Sequence, residues 1–221
     1  MTNSYELLQA LKISGHIKAP RELLWWPNSG TFEVIVGAIL TQQTKWEKVE
    51  KSLENLRSKN VLDLQSLATI EQKELAILIK PSGFYNTKAK NLKYICLNIQ
   101  HSFENFENFC LHVSRDWLLS QKGIGEESAD SILCYACKKE AMVVDSYTNR
   151  LMKQFGYEFE SYQELQEWMV RGIDENLDKI DTLYKQTMDL NTTYARFHGK
   201  IVEFCKENRV GKEIDVSSLK V

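Results

Sequence analysis

Apolar residues in this chain recur mostly at spacings of three and four, the period of a helix buried along one face. Tyr5 to Leu11 predicts a first amphipathic helix. Phe32 to Leu40, FEVIVGAIL, is apolar nearly all round and predicts a helix buried on most sides. Ser29 or Thr31 is placed to cap it, with Glu33 in its first turn. A polar quartet, Thr41-Gln42-Gln43-Thr44, ends it, and Lys45-Trp46 opens an amphipathic helix to about Ser58. Leu62 to Ile79 predicts short helices, with Thr69 as a cap, and the turn Pro81-Ser82-Gly83-Phe84-Tyr85-Asn86 leads into a Lys-rich helix, Thr87 to Ile99. Further helices are expected over Phe103 to Phe109, Val113 to Ser120, Thr148 to Gly156 and Tyr162 to Ile173. Ile180 to Glu207 reads as one long helix with the stripe Leu183, Thr187, Leu190, Tyr194, Phe197, Ile201, Phe204. The tail from Gly211 is polar and expected to be mobile. Alternating β-branched runs are scarce and there are only three prolines, so the expected fold is all-α.

The stretch from Trp117 to Leu151 carries the candidate chemistry. The apolar run Trp117-Leu118-Leu119 enters Gly123-Ile124-Gly125, and Ala129, Ile132, Leu133 and Ala136 follow at helical spacing. Two glycines let the backbone turn tightly and approach a partner. The pattern predicts helix, hairpin, helix, with hairpin N–H groups offered to a phosphate. Val143-Val144 then delivers Asp145 to the start of another helix. Taken alone, Asp145 is equally an ordinary N-cap. Cys134 and Cys137 form a CxxC inside the second helix with no second pair, a pattern that fits core packing.

Composition narrows the class. The 221 residues suffice for one large or two modest domains. No apolar run is long enough to span a bilayer and the N-terminus lacks a signal-peptide core, so a cytoplasmic protein is expected. Five cysteines fit reduced thiols in that compartment. A net charge of −2 does not advertise nucleic-acid binding, which would need positive charge gathered on one face. Lys88, Lys90 and Lys93 form one local group, and Lys122, Lys138 and Lys139 flank the hairpin; taken alone, they read as solvated helix faces.

Several motifs together resemble a family. Lys122-Gly123-Ile124-Gly125 with Ser128-Ala129 and Ile132-Leu133 resembles the hairpin signature of the helix-hairpin-helix (HhH-GPD) DNA glycosylases, and Val144-Asp145 falls where that superfamily carries its catalytic aspartate. Ile39 to Thr44 and Pro81 to Ala89 are similar to two earlier motifs, so the resemblance spans roughly residues 30 to 200. The tryptophan pair, TQQTKW and ARFHGK (195–200) are most similar to bacterial 3-methyladenine glycosylases of type III. The resemblance implies two lobes around a DNA-facing cleft: residues 29–128 as a helical lobe ending in the hairpin, and 1–28 plus 129–221 as the lobe carrying the catalytic aspartate. It also implies a monomer that binds double-stranded DNA containing damaged bases, near the nucleoid when acting and away from membranes.

The departures from the family pattern are specific. Members that cleave the strand carry a lysine where this chain has Glu127, so a monofunctional hydrolase leaving an abasic site is implied. Only Cys205 lies where endonuclease III-like members hold an iron–sulfur cluster, so no cluster and no required cofactor is implied. Family hairpins bind a monovalent cation through carbonyls, here matching Leu119, Gln121 and Ile124. Lys122 replaces a common hairpin proline and is positioned to meet phosphate.

Asp145 is then expected to stabilise an oxocarbenium-like sugar and orient water. Gln42 is implied as the wedge in the opened duplex, with capping of its own helix as the alternative; Gly123, Ile124 and Gly125 would grip the backbone. Trp25, Trp26, Pro27 and Trp46 are candidates for an aromatic slot that stacks a cationic purine, although the adjacent tryptophans would equally plug a domain junction. Lys200 lies beside the apolar stripe, so its pKa is expected to be depressed, with a carboxylate pair or a carbamate as possible states and a snorkelling surface lysine as the alternative. His198 reads as structural. The leading expectation is release of 3-methyladenine-type bases; a glycosylase for mismatched adenine or oxidised pyrimidine, or a non-catalytic DNA-binding hairpin module, are the other readings.

Overall fold

A computed structural model describes residues 1–17 and 23–220. Among the described residues there are thirteen α-helices and one two-stranded ribbon. They divide into two compact units, Met1–Pro27 with Lys139–Val221, and Asn28–Lys138. The second boundary lies at 138 rather than 128, so the helix after the hairpin belongs wholly to the middle unit.

The middle unit is built around α2 (Glu33–Leu40), every residue of which after Glu33 is buried. Against it pack α3 (Trp46–Ser58), α6 (Tyr85–Phe103), α9 (Glu126–Ser131) and a π-helical turn, Ile132–Ala136. Helices α4 (Leu64–Thr69), α5 (Gln72–Leu78), α7 (Phe106–His112) and α8 (Arg115–Leu119) complete the unit. Short polar side chains start the small helices: Asp63, Asn105 and Ser114 accept the N–H of Ser66, Asn108 and Trp117. Neither Ser29 nor Thr31 caps α2, whose N-cap is Phe32; the Thr31 hydroxyl donates to Asn28 O instead. Thr69 ends α4, and Glu71 stands at the N-cap of α5.

Two of the three lysines in the Lys88–Lys93 group turn inward. Lys93 donates to the carbonyls of Ala68 and Ile70 at the end of α4. Lys88 is buried and donates to Leu40 O, Thr44 Oγ1 and Ser82 O. They satisfy the bare carbonyls that helix ends leave, so only Lys90 of the three is exposed.

The other unit gathers α1 (Ser4–Ile13), α10 (Ser146–Gln154), α11 (Tyr162–Asp174), α12 (Leu177–Tyr184) and α13 (Leu190–Glu207). Its core joins Leu7, Leu8 and Leu11 to Leu151, Met169, Phe197, Ile201 and Phe204. The long helix expected from Ile180 is two helices: Lys185 takes a left-handed φ of 57° after α12, and Asp189 caps α13 afresh by accepting Thr192 N–H. The tail is not loose. Arg209–Val210 and Glu213–Ile214 pair as antiparallel strands β1 and β2, and Ile214 and Leu219 are buried in the core at 2% and 7% exposure. Polar composition concealed two apolar anchors five residues apart. No helix among the described residues is long and apolar enough to cross a membrane.

Candidate active site

Asp145 is the N-cap of α10, and its carboxylate is divided between two tasks. Oδ1 accepts the Thr148 N–H at 2.8 Å and the Thr148 hydroxyl at 3.0 Å, while Thr148 Oγ1 faces the Asp145 N–H at 3.3 Å. Oδ2 faces His198 Nε2 at 3.6 Å. The Asp145 side chain is 14% exposed and the His198 side chain 5%. Burial alone would raise the Asp145 pKa; the facing His198 and the two Thr148 bonds outweigh it and hold the carboxyl below its ordinary value. Asp145 is therefore an ionised carboxylate in a nearly dry place, with one oxygen fixed and the other turned toward an imidazole. His198, read from sequence as structural, belongs to this site.

Helix α13 supplies His198 and also seats the tryptophan pair. Trp25 lies edge-to-face with His198 at 5.3 Å between ring centroids, and Trp26 lies edge-to-face with Trp25 at 6.4 Å. Trp25 Nε1 donates to Glu203 Oε1 at 3.0 Å. Trp25 is half-buried on backbone with φ 75°, Trp26 is buried, and Pro27 is exposed. Gly199 makes the seat possible, since a Cβ there would stand 2.3 Å from Trp25 Cγ. Arg196 Nη1 reaches Leu23 O, Lys200 Nζ reaches His16 O at 2.6 Å, Glu203 also accepts Ile17 N–H, and Glu207 Oε2 lies 3.2 Å from His16 Nε2. Positions 196, 199, 200, 203 and 207 form one helical stripe. That face of α13 holds the described N-terminal residues on both sides of residues 18–22. Sequence reading missed this stripe because it is polar and glycine-bearing rather than apolar.

Lys200 is buried, and its partner is a backbone carbonyl rather than a carboxylate. Burial, helped by the charges of Arg196 and Lys12 and opposed by Glu203, pushes its amine down to about 8.

The hairpin lies in the middle unit, between α8 and α9. Gly123 turns at φ +83°, and a Cβ there would stand 2.0 Å from Asn91 Nδ2, so both backbone angle and space demand glycine. Lys122, Gly123 and Gly125 are exposed, and Ile124 is buried as the anchor. Gln121 N–H groups reach Trp117 O and Ser120 Oγ, its Oε1 accepts from Asn98, and its carbonyl accepts the Ile124 N–H. Arg115 and Asp130 close a two-bond bridge, at 2.8 and 3.1 Å, that ties α8 to α9. Gln42 belongs to this assembly, its Nε2 standing 2.8 Å from Gly123 O and 3.0 Å from Ser128 Oγ. Gln43, next to it, is exposed with φ 53°. Trp46 is the half-buried first residue of α3 in this unit, and Trp25, Trp26, Pro27 and Lys200 belong to the other. Cys134 and Cys137 lie in and just after the π turn, Cys134 fully buried. No cluster of three metal-ligating His, Cys, Asp or Glu side chains occurs among the described residues.

A helix-hairpin-helix followed by a helix capped with a largely buried, ionised aspartate is the arrangement of a base-excising DNA repair enzyme. Residues 36–171 match the model of the HhH-GPD superfamily of base excision DNA repair proteins, and the chain belongs to that superfamily as a DNA glycosylase. It is 50% identical, with a TM-score of 0.91, to the Helicobacter pylori 3-methyladenine DNA glycosylase (MagIII) bound to 1,N6-ethenoadenine, covering 94% of this chain and 99% of that one. It is 37% identical over 190 residues to MJ1434 of Methanocaldococcus jannaschii, a protein assigned as a DNA repair glycosylase, covering 83% of this chain and 80% of that one. A trapped endonuclease III–DNA covalent intermediate shares the fold at TM-score 0.72 and 17% identity, covering 96% of this chain and 91% of that one.

Proposed function

We propose that this glycosylase hydrolyses the N-glycosidic bond of alkylated purines of the 3-methyladenine type in duplex DNA and leaves an abasic site. The observation that carries this reading is the Asp145 carboxylate, nearly dry, held below its ordinary pKa, and facing His198, which in turn lies edge-to-face with Trp25. The likeness to a 3-methyladenine glycosylase over nearly the whole chain supports the choice of base.

An alkylated purine carries positive charge and is already a good leaving group. The C1′–N bond breaks with its electron pair passing to the base, which departs neutral. The sugar is left as an oxocarbenium-like cation. Asp145 Oδ2 stabilises that cation and orients the water that adds to C1′, while Thr148 holds Oδ1 still. The water's surplus proton goes to the carboxylate and then to solvent. Trp25 is the half-buried ring proposed to stack the cationic base, with Trp26 edge-to-face against it and Pro27 exposed next in the chain; Trp46 is the remaining candidate. Lys200 holds a depressed amine near this helix face, able to add carbon dioxide and release a proton to give a carbamate.

Extrusion of the base needs a wedge. Gln42 is held by the hairpin and braces this edge, so Gln43 and the exposed Phe84 are the side chains proposed to enter the stack. Gly123, Gly125 and Lys122 meet backbone phosphate, with Ile124 anchoring the turn. The carbonyls of Leu119, Gln121 and Ile124 are hard oxygen donors that would hold a monovalent cation, whose charge would favour a phosphate at the hairpin. With Glu127 in place of an amine, no Schiff base forms and the strand is left intact.

The test is liquid chromatography of the bases released from methylated duplex DNA. Release of 3-methyladenine is expected. Release of oxidised pyrimidine or mismatched adenine from suitable duplexes, with no methylated base, would move the assignment to another glycosylase class.

A further inference from the structure

Two loops of the middle unit each present an exposed side chain on left-handed backbone. Gln43, with φ 53°, follows α2, and Phe84, with φ 45° and 67% exposure, precedes α6. Neither is glycine, so surrounding structure must hold both in place. Beneath them lies Lys88, only 3% exposed. Its ammonium points at Leu40 O (2.8 Å) and Thr44 Oγ1 (2.8 Å) in the first loop, and at Ser82 O (2.9 Å) in the second. Thr44 Oγ1 also lies 2.6 Å from Ser82 O and 3.1 Å from Gln42 O.

An ammonium has three N–H groups, and here each has one acceptor. No carboxylate is among them, so the lysine gains hydrogen bonds but no ion pair in exchange for lost water. Burial pushes its amine down to about 8. A side chain kept for packing alone would not need a charge. What the charge supplies is a three-way tie joining loop 40–44 to loop 80–84.

We propose that Lys88 is a positioning residue that fixes the spacing of Gln43 and Phe84, so that the two enter duplex DNA as one two-pronged wedge. This rests on the DNA glycosylase reading above. Lys88 touches neither base nor sugar. It acts by pre-organising the edge that opens the stack, which matters only when a base must be extruded.

The experiment compares two duplexes carrying 1,N6-ethenoadenine, one with the lesion paired and one with it in a one-base bulge, where it is already out of the stack. Lys88→Met is expected to slow release from the paired duplex at least tenfold and from the bulged duplex less than twofold. Thr44→Val, which removes one arm of the tie, is expected to slow the paired substrate two- to fivefold and to spare the bulge. A 2-aminopurine beside the paired lesion reports extrusion directly, and its fluorescence rise should fall in step with the paired rate. Equal loss on both duplexes in both variants, or an unchanged fluorescence rise in both, would overturn the proposal. A wild-type protein that releases no base from any damaged duplex would instead overturn the glycosylase reading.

Discussion

At the scale of the residue, the proposed chemistry turns on two oxygens of one carboxylate. Thr148 occupies Oδ1, and Oδ2 is left toward His198. Because its folded pKa is depressed, Asp145 stays ionised to a lower pH than an ordinary aspartate. Its contribution to stability is present above the unfolded pKa and lost only as pH drops through the lower folded value. The acid limb of the pH–rate profile should therefore lie below about 3.9, the ordinary value for Asp. His198→Ala removes a group that holds the pKa down, so the limb should move upward; an unmoved limb would show that His198 does not tune the carboxylate. Gly199→Ala makes the same point for the aromatic seat. The added methyl would meet the Trp25 ring, and a displacement of about 1 Å costs roughly 100-fold in rate. Wild-type activity in that variant would separate Trp25 from base selection. Asp145 was legible in the sequence because its signal is local, a carboxylate some twenty residues past a glycine hairpin. His198 and Gly199 were not, because their roles exist only when α13 is packed on α10 and on Trp25.

At the scale of the element, the hairpin was legible for the same reason and α13 was not. The apolar stripe Tyr194, Phe197, Ile201, Phe204 identified the buried face of α13. Its polar stripe, which holds the residues on either side of 18–22, carries no periodic apolar signal. The helix break near Lys185 was hidden because Leu183 and Leu190 keep helical spacing across the interruption. The tail misled through composition: Ile214 and Leu219 are enough to anchor it. Ile214→Ala should cost about 2–5 kcal/mol of stability, read from the urea midpoint. A midpoint unchanged from wild type would restore the mobile tail. For the hairpin, Gly123→Ala meets both a left-handed backbone and Asn91. It should weaken duplex binding while the Asp145 site stays intact, and binding at wild-type strength would remove the hairpin from the DNA contact.

For the molecule as a whole, a net charge of −2 must coexist with a polyanionic partner. Local positive charge, not the total, has to supply the phosphate contacts. Lys122 is exposed at the hairpin and is one such charge. Lys122→Ala should lower the slope of log affinity against log salt by about one, uniformly across sequences. An unchanged slope would place Lys122 away from the phosphates. Composition argued weakly against nucleic acid, and motif order, not charge, carried the sequence reading past it. Borohydride trapping tests the monofunctional assignment: Glu127 offers no amine, so no covalent protein–DNA adduct is expected, and an adduct would reveal another nucleophile.

The central claim is that Asp145 makes this chain an enzyme rather than a DNA-binding hairpin. The direct measurement is the single-turnover rate of 3-methyladenine release from methylated duplex by wild type and by Asp145→Asn. Asparagine keeps an oxygen for the Thr148 cap, so the fold is preserved while the charge is removed. A loss of about 100-fold or more is predicted, the size seen when a group stabilising transition-state charge is removed. Release by Asp145→Asn at the wild-type rate would contradict the account.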